Sequence, residues 1–158
     1  MAEACSQRFN HVAMTVPADR LDDAGRGDLL RFYGEVFGWS EMPTLTEDRA
    51  RLVLRAHSNE QFVFLVAGDA PMRAPEGDHF GLSVATPAEL GAIRARACDL
   101  ARSDPRVVVT EATVEDYGVL RLHSFYVGFG LPLRVEVQCF EWAAGVGPRS
   151  LPDATPAR

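Results

Sequence analysis

Close to its C-terminal end the chain reads LPLRVEVQCFEW, and Glu136 stands there between Val135 and Val137 in a strand-like run. A carboxylate in that position either faces solvent or points into a cavity and holds something. Two histidines bear on the choice. His11 opens the stretch HVAMTV, and His79, 68 positions later, opens HFGLSV. Imidazole and carboxylate groups are the side chains that bind metals and move protons near neutral pH, although a lone strand histidine is more often structural. Side chains alternate along a strand, so Arg134, Glu136 and Gln138 share one face and Val135, Val137 and Cys139 the other. The apolar face suits packing against a helix, which leaves Glu136 on the open side.

The elements that position these residues come from a repeat. NHVAMTVPADRL from Asn10 and DHFGLSVATPAEL from Asp78 both read polar, His, apolar, small, apolar, hydroxyl, Val. In the first copy Val12, Met14 and Val16 form an apolar face, with His11, Ala13 and Thr15 opposite. Phe80, Leu82 and Val84 repeat that face in the second, against His79, Gly81 and Ser83. A helix follows each strand. Leu29, Phe32, Tyr33, Val36 and Phe37 lie at helical spacing and stop at Gly38. Thr86-Pro87-Ala88-Glu89 reads as a capping box with proline at the first helical position, followed by a stripe of Leu90, Ile93, Ala97 and Leu100.

Further strands are expected near 41–46, in ARLVLRAH and EQFVFLVAG, then in RVVVTEA, GVLRLHSFYVG and LPLRVEVQCFEW. Each half is therefore strand, helix, three antiparallel strands. The expected organisation is a module at 8–68, a Gly- and Pro-rich linker at 69–77, a second module at 78–142 and a loose tail at 143–158.

Bulk properties narrow the function classes. The formal net charge is -6, and without a Lys/Arg cluster no nucleic-acid partner is expected. No apolar run approaches the ~20 residues of a membrane span, and no secretory signal is legible at the start. Cys5, Cys98 and Cys139 are odd in number and scattered, which suits a reducing cytoplasm rather than a disulfide framework.

A duplicated strand-helix-three-strand module with a histidine opening each copy resembles the vicinal oxygen chelate superfamily. That group includes glyoxalase I, bleomycin-binding proteins, fosfomycin-resistance transferases, methylmalonyl-CoA epimerases and extradiol dioxygenases. The resemblance covers residues 8 to 142 and implies an α+β fold. In it two tandem βαβββ modules form a curved, partly open, barrel-like cup with the helices outside. Carried over residue by residue, it places divalent-metal ligands at His11, His79 and Glu136. The first half has Val63 or Phe64 where a fourth ligand would stand. Two imidazoles and one carboxylate suit Fe(II), with Mn(II) or Zn(II) next.

Ser124-Phe125-Tyr126, ten residues before Glu136, is similar to the strand that carries a tyrosine in extradiol dioxygenases. The resemblance gives Tyr126 the role of hydrogen-bond donor to substrate. His123 is a candidate general acid or base, reaching the same face as Tyr126 only through a bulge. GFGLP replaces the turn common in the family, and a single pair of modules leaves the substrate class open.

Arg51, Arg55, His57 and Arg134 are candidates for receiving an anionic substrate, and Phe64, with Phe62, for stacking on an aromatic one. The expectation is a metal-dependent enzyme acting on a small catechol- or enolate-like molecule, most like a small ring-cleaving dioxygenase, with lyase or transferase chemistry next. A metal-free, bleomycin-resistance-type binding protein is the alternative. Homodimers are usual for the fold.

Overall fold

The computed structural model describes residues 8–43 and 49–148. Two compact units are present. The first runs to Phe80 and includes Gly128–Arg134; the second comprises Gly81–Val127 and the chain from Val135 onward.

In the first unit β1 (His11–Val16) leads through a 3-10 turn at Ala18–Leu21 into α1 (Asp23–Phe37). Asp22 caps this helix by accepting from the Gly25 amide at 2.8 Å. Gly38 ends it with φ 75°, a left-handed conformation that glycine adopts without a Cβ penalty, and its amide bonds the Gly34 carbonyl at 2.9 Å. Then follow β2 (Ser40–Glu41), β3 (Arg51–Arg55) and β4 (Phe62–Ala67). The strand order is β1-β4-β3-β2, with β1 parallel to β4 and the remaining pairs antiparallel. Part of the strand expected near 41–46 falls outside the described residues.

The core of this unit is the expected apolar face. Met14 and Val16 of β1, Leu52 and Leu54 of β3, and Val63 and Leu65 of β4 are all buried, as are Leu29, Phe32, Tyr33 and Val36 of α1. Each such side chain contributes about 1.5–3 kcal/mol by leaving water. Phe129 packs here too, its ring stacked on Phe32 at 4.5 Å, and its carbonyl accepts the Tyr33 hydroxyl at 2.9 Å. Gly130, at φ 66°, lets the turn lie close: a Cβ there would stand 3.0 Å from the Leu29 side chain.

Among the described residues of the first unit Arg26 is a buried charge, 6% exposed. Its guanidinium bonds Glu41 at 2.7 Å and the Arg51 carbonyl at 2.7 Å, tying α1 to the β2–β3 edge. Its Nε is buried with no hydrogen-bond partner. Arg26→Ala is expected to cost about 2–3 kcal/mol, because two bonds are lost and a cavity is left. The double change Arg26→Met with Glu41→Leu is expected to restore most of that, since it removes the desolvation cost of both charges. Urea midpoints of the two variants check this.

The second unit holds most of β5 (His79–Val84), α2 (Pro87–Ala101), β6 (Val108–Val109), β7 (Thr113–Asp116), β8 (Leu120–Gly128) and β9 (Arg134–Trp142). The order is β5-β9-β8-β6, with β7 also on β8. The capping box is present. Thr86 Oγ1 accepts from the Glu89 amide at 3.1 Å, and Glu89 reaches back to the Ala85 amide at 3.2 Å, one residue earlier than the usual partner. Leu90, Ile93 and Ala97 are buried, whereas Leu100 is only half-buried.

The expected strand RVVVTEA keeps only β6 at Val108–Val109, and β7 begins beyond it at Thr113. Thr110 interrupts it: its amide donates to the Tyr126 carbonyl at 2.9 Å, and its Oγ1 accepts from the Tyr126 amide at 2.8 Å. Every residue of β7 is exposed, so no alternation marks it in the sequence. The α+β class expected from the sequence holds, and neither sheet closes into a barrel. Among the described residues no helix is long and apolar enough to cross a membrane. The expected tail at 143–158 lies largely outside the described residues.

Candidate functional site

Register defines the open face of the first sheet. His11 stands beside Phe62 and Phe62 beside Arg55; Ala13 beside Phe64 and Phe64 beside Val53; Thr15 beside Val66 and Val66 beside Arg51. Residues directly opposite in a ladder share a face. So His11, Phe64, Arg51 and Arg55 lie on one surface, opposite Leu52, Leu54, Val63 and Leu65; Val53, on the same surface as His11, is itself buried. The His11 ring stacks on Phe62, with centroids 5.0 Å apart and planes 9° from parallel. Its Nδ1 lies 2.8 Å from Asn10 Oδ1. His57 is exposed in the turn after β3.

His79 is held in the same way by a different partner. Its Nδ1 lies 2.8 Å from the Gly77 carbonyl. A carbonyl oxygen only accepts, so Nδ1 carries the hydrogen in both rings, and in the neutral tautomer Nε2 presents the lone pair. That is the arrangement of a metal-ligating histidine, whose other nitrogen is fixed by a carbonyl or carboxylate. Arg134 also anchors the approach to β5, pairing with Glu76 at 2.5 Å and donating its amide to the Asp78 carbonyl at 3.2 Å.

Glu136 belongs to the second unit and is 7% exposed. It lies across the ladder from Tyr126, and Gln138 from Ser124. Gln138 Nε2 donates to Glu136 Oε2 at 3.0 Å, and the Tyr126 hydroxyl bonds the same carboxylate. That hydrogen bond, with burial and the charges of Glu136 and Glu115, raises the Tyr126 hydroxyl above the ordinary tyrosine value. The phenol therefore stays protonated and donates to Glu136. A Cβ at Gly81 would meet Gln138 Oε1 at an ordinary contact distance of 3.5 Å.

No family model matches the chain, and no curated protein matches it. Solved structures do. A glyoxalase/bleomycin resistance protein from Albidiferax ferrireducens T118 aligns with a TM-score of 0.57 and 15% identity, over 83% of this chain and 98% of that one. Lactoylglutathione lyase from Agrobacterium tumefaciens aligns at 0.57 with 20% identity, over 84% and 92%. A genomically encoded fosfomycin resistance protein from Listeria monocytogenes aligns at 0.56 with 15% identity, over 85% and 94%. The chain has the vicinal oxygen chelate fold.

Within the vicinal oxygen chelate fold the other candidates divide by face. The β8–β9 register is uninterrupted from Leu120 opposite Trp142 to Val127 opposite Val135. There is no bulge, so His123 faces away from Tyr126 and Glu136. It stands across from the buried Cys139 and bonds Glu141 at 3.0 Å. Burial, with Glu141 and Glu89 nearby, pushes the Cys139 thiol up, which keeps it an inert thiol.

Asn10 and Gln138 are supporting residues to which sequence reasoning gave no role. Both carried a signal: Asn10 is the polar residue preceding the first-copy histidine, and Gln138 shares Glu136's parity. The Gly77 carbonyl carried none, because a backbone contact leaves no residue type to read. Among the described residues, no group of three or more His, Cys, Asp and Glu is gathered closely enough to hold a metal ion.

Proposed function

We propose that this chain is a metal-dependent enzyme of the vicinal oxygen chelate group. Among the described residues His11, His79 and Glu136 do not gather around one point within a single chain; they would meet as the ligands of a divalent cation when two copies pair, and the substrate would be a small catechol- or enolate-like molecule with two neighbouring oxygens. The observation that carries this reading is the matched state of the two histidines. They open equivalent strands, and in each the Nδ1 hydrogen goes to a local carbonyl, the tautomer in which Nε2 is the acceptor nitrogen. Two such nitrogens and a carboxylate suit Fe(II), with Mn(II) and Zn(II) next. A bound cation would supply Lewis acidity, favouring the ionised form of chelating oxygens.

The chain's own residues supply the rest. Gln138 and Tyr126 fix the Glu136 carboxylate, Phe62 and Asn10 orient the His11 ring, and Phe64 with Arg51 and Arg55 lines the same open face as His11. Tyr126 acts here by positioning Glu136, and His123 has no part because it lies on the opposite face. Ring-cleaving oxygenation is the first chemistry to assay, then lyase and transferase reactions. Pairing of two copies belongs to the same reading.

A metal-free ligand-binding protein of the bleomycin-resistance kind is the second reading. The observation favouring it is that no three ligating side chains gather among the described residues. Elemental analysis and anaerobic titration of untagged protein with Fe(II), Mn(II) and Zn(II) separate the two. Uptake close to one ion per chain is expected. Failure to take up any of the three would overturn the enzyme reading in favour of the binder.

A further inference from the structure

The first unit contains a cavity of about 500 Å³ between the chain entering β1 and the turn into β4. That volume is within the range of small-molecule sites, roughly 300–1,000 Å³. Its walls are of four kinds, one of them the Ser58 hydroxyl. Phe9 and Phe62 are aromatic; Asn10, Asn59 and Gln61 are amides; Arg8 and Glu60 are charged. Phe9 is 77% exposed, so its ring is accessible to a bound molecule. The two charges face each other at 3.3 Å, so the lining as a whole is neutral.

We propose that this cavity is a binding site for an uncharged planar aromatic ring bearing an amide-like edge. The rings of Phe9 and Phe62 offer surfaces on which a flat molecule stacks. Side-chain amides carry a donor pair and an acceptor each, which is the complement of another amide. A net charge on the ligand would gain little, because each charge of the lining already has its partner.

The cavity adjoins the His11 ring. Phe62 is the residue stacked on it, and Asn10 is the residue that accepts from its Nδ1. A ring bound here therefore touches both groups that orient His11. That the ring is part of the substrate rests on the proposed metal site; that it binds does not.

The test is a ¹H–¹⁵N NMR titration of the full chain in EDTA with four probes: benzamide, benzoate, benzamidinium and cyclohexanecarboxamide. Benzamide is expected to bind saturably in the millimolar range, the usual level for so small a ligand, shifting the side-chain amide signals of Asn10, Asn59 and Gln61. The other three are expected to bind about fivefold to tenfold more weakly. Phe9→Ala, which removes an exposed ring and leaves folding intact, is expected to weaken benzamide about tenfold.

Tighter binding of benzoate would make Arg8 the recognition group, and tighter binding of benzamidinium would make Glu60 that group; either overturns the proposal. So does the absence of saturable shifts at these amides, or an unchanged affinity in Phe9→Ala. Because the titration is run without metal, its failure leaves metal uptake standing, and failed metal uptake leaves the titration standing.

Discussion

Tyr33→Ala is expected to bring the first unit to the edge of unfolding, at a cost of about 3–5 kcal/mol. Tyr33 is 1% exposed, with its ring stacked on Trp39 at 4.9 Å and edge-on to Phe32 at 5.0 Å. Removing it empties the space where α1, Trp39 and the turn at Gly128–Arg134 meet, and it takes one donor from the Phe129 carbonyl, which keeps the Leu131 amide at 2.9 Å. Tyr33→Phe keeps the ring and loses only the hydrogen bond. It is expected to cost about 0.5–1.5 kcal/mol, the net worth of one hydrogen bond, since the Leu131 amide still donates to the Phe129 carbonyl.

The same residue predicts an alkaline limit. Burial raises the Tyr33 hydroxyl far above its ordinary value of 10.0. Below that pH both folded and unfolded chains keep the proton, and stability does not depend on this group. Above it the unfolded chain releases the proton first, so stability falls by up to about 1.4 kcal/mol per pH unit. Tyr33→Phe, with nothing to ionise, is expected to lose most of that slope. Urea unfolding at several pH values from 8 upward measures both effects. A Tyr33→Ala midpoint equal to that of the parent would contradict this packing account, and an undiminished alkaline slope in Tyr33→Phe would contradict the titration.

Glu136→Ala is expected to lower divalent-metal affinity by at least about 100-fold. It deletes the one charged ligand of the proposed set, whereas changes to groups that merely hold a ligand cost roughly 10–100-fold. Gln138→Leu and Tyr126→Phe fall in that second class. Each removes a donor to the carboxylate, so both should retain metal with weakened affinity. Asn10→Ala should act similarly on His11, by releasing its Nδ1 and so its tautomer. Competition against a chelator of known affinity ranks the variants. A Glu136→Ala protein that holds metal as tightly as the parent would remove Glu136 from the site, whatever the histidines do. The ranking also separates roles, since a merely structural Gln138 would change stability and leave metal affinity unmoved.

Much of this was legible in the order of residues. The two helices were readable because Leu29, Phe32, Tyr33 and Val36, and likewise Leu90, Ile93 and Ala97, repeat at helical spacing between recognisable caps. Glu136's face followed from the two-residue period of a strand. So did the opposed faces of His123 and Tyr126, because a regular ladder cannot bring odd and even positions together. Local geometry imposes these patterns, and a sequence records local geometry directly.

Other features depended on contacts between distant segments. β7 has no buried face, and the break at Thr110 is made by hydrogen bonds to Tyr126. The resemblance made Tyr126 a donor to substrate; the ladder sets it opposite Glu136, and its hydroxyl bonds that carboxylate. That the Phe129 carbonyl would be the acceptor for Tyr33, or the Gly77 carbonyl for His79, could not be read at all, since backbone acceptors are common to every residue. The sequence by itself determined the repeat, the helices and the faces, because periodicity and capping act over a few residues. The tertiary structure alone decided which donor meets which acceptor, because that depends on how separated stretches of chain are brought side by side.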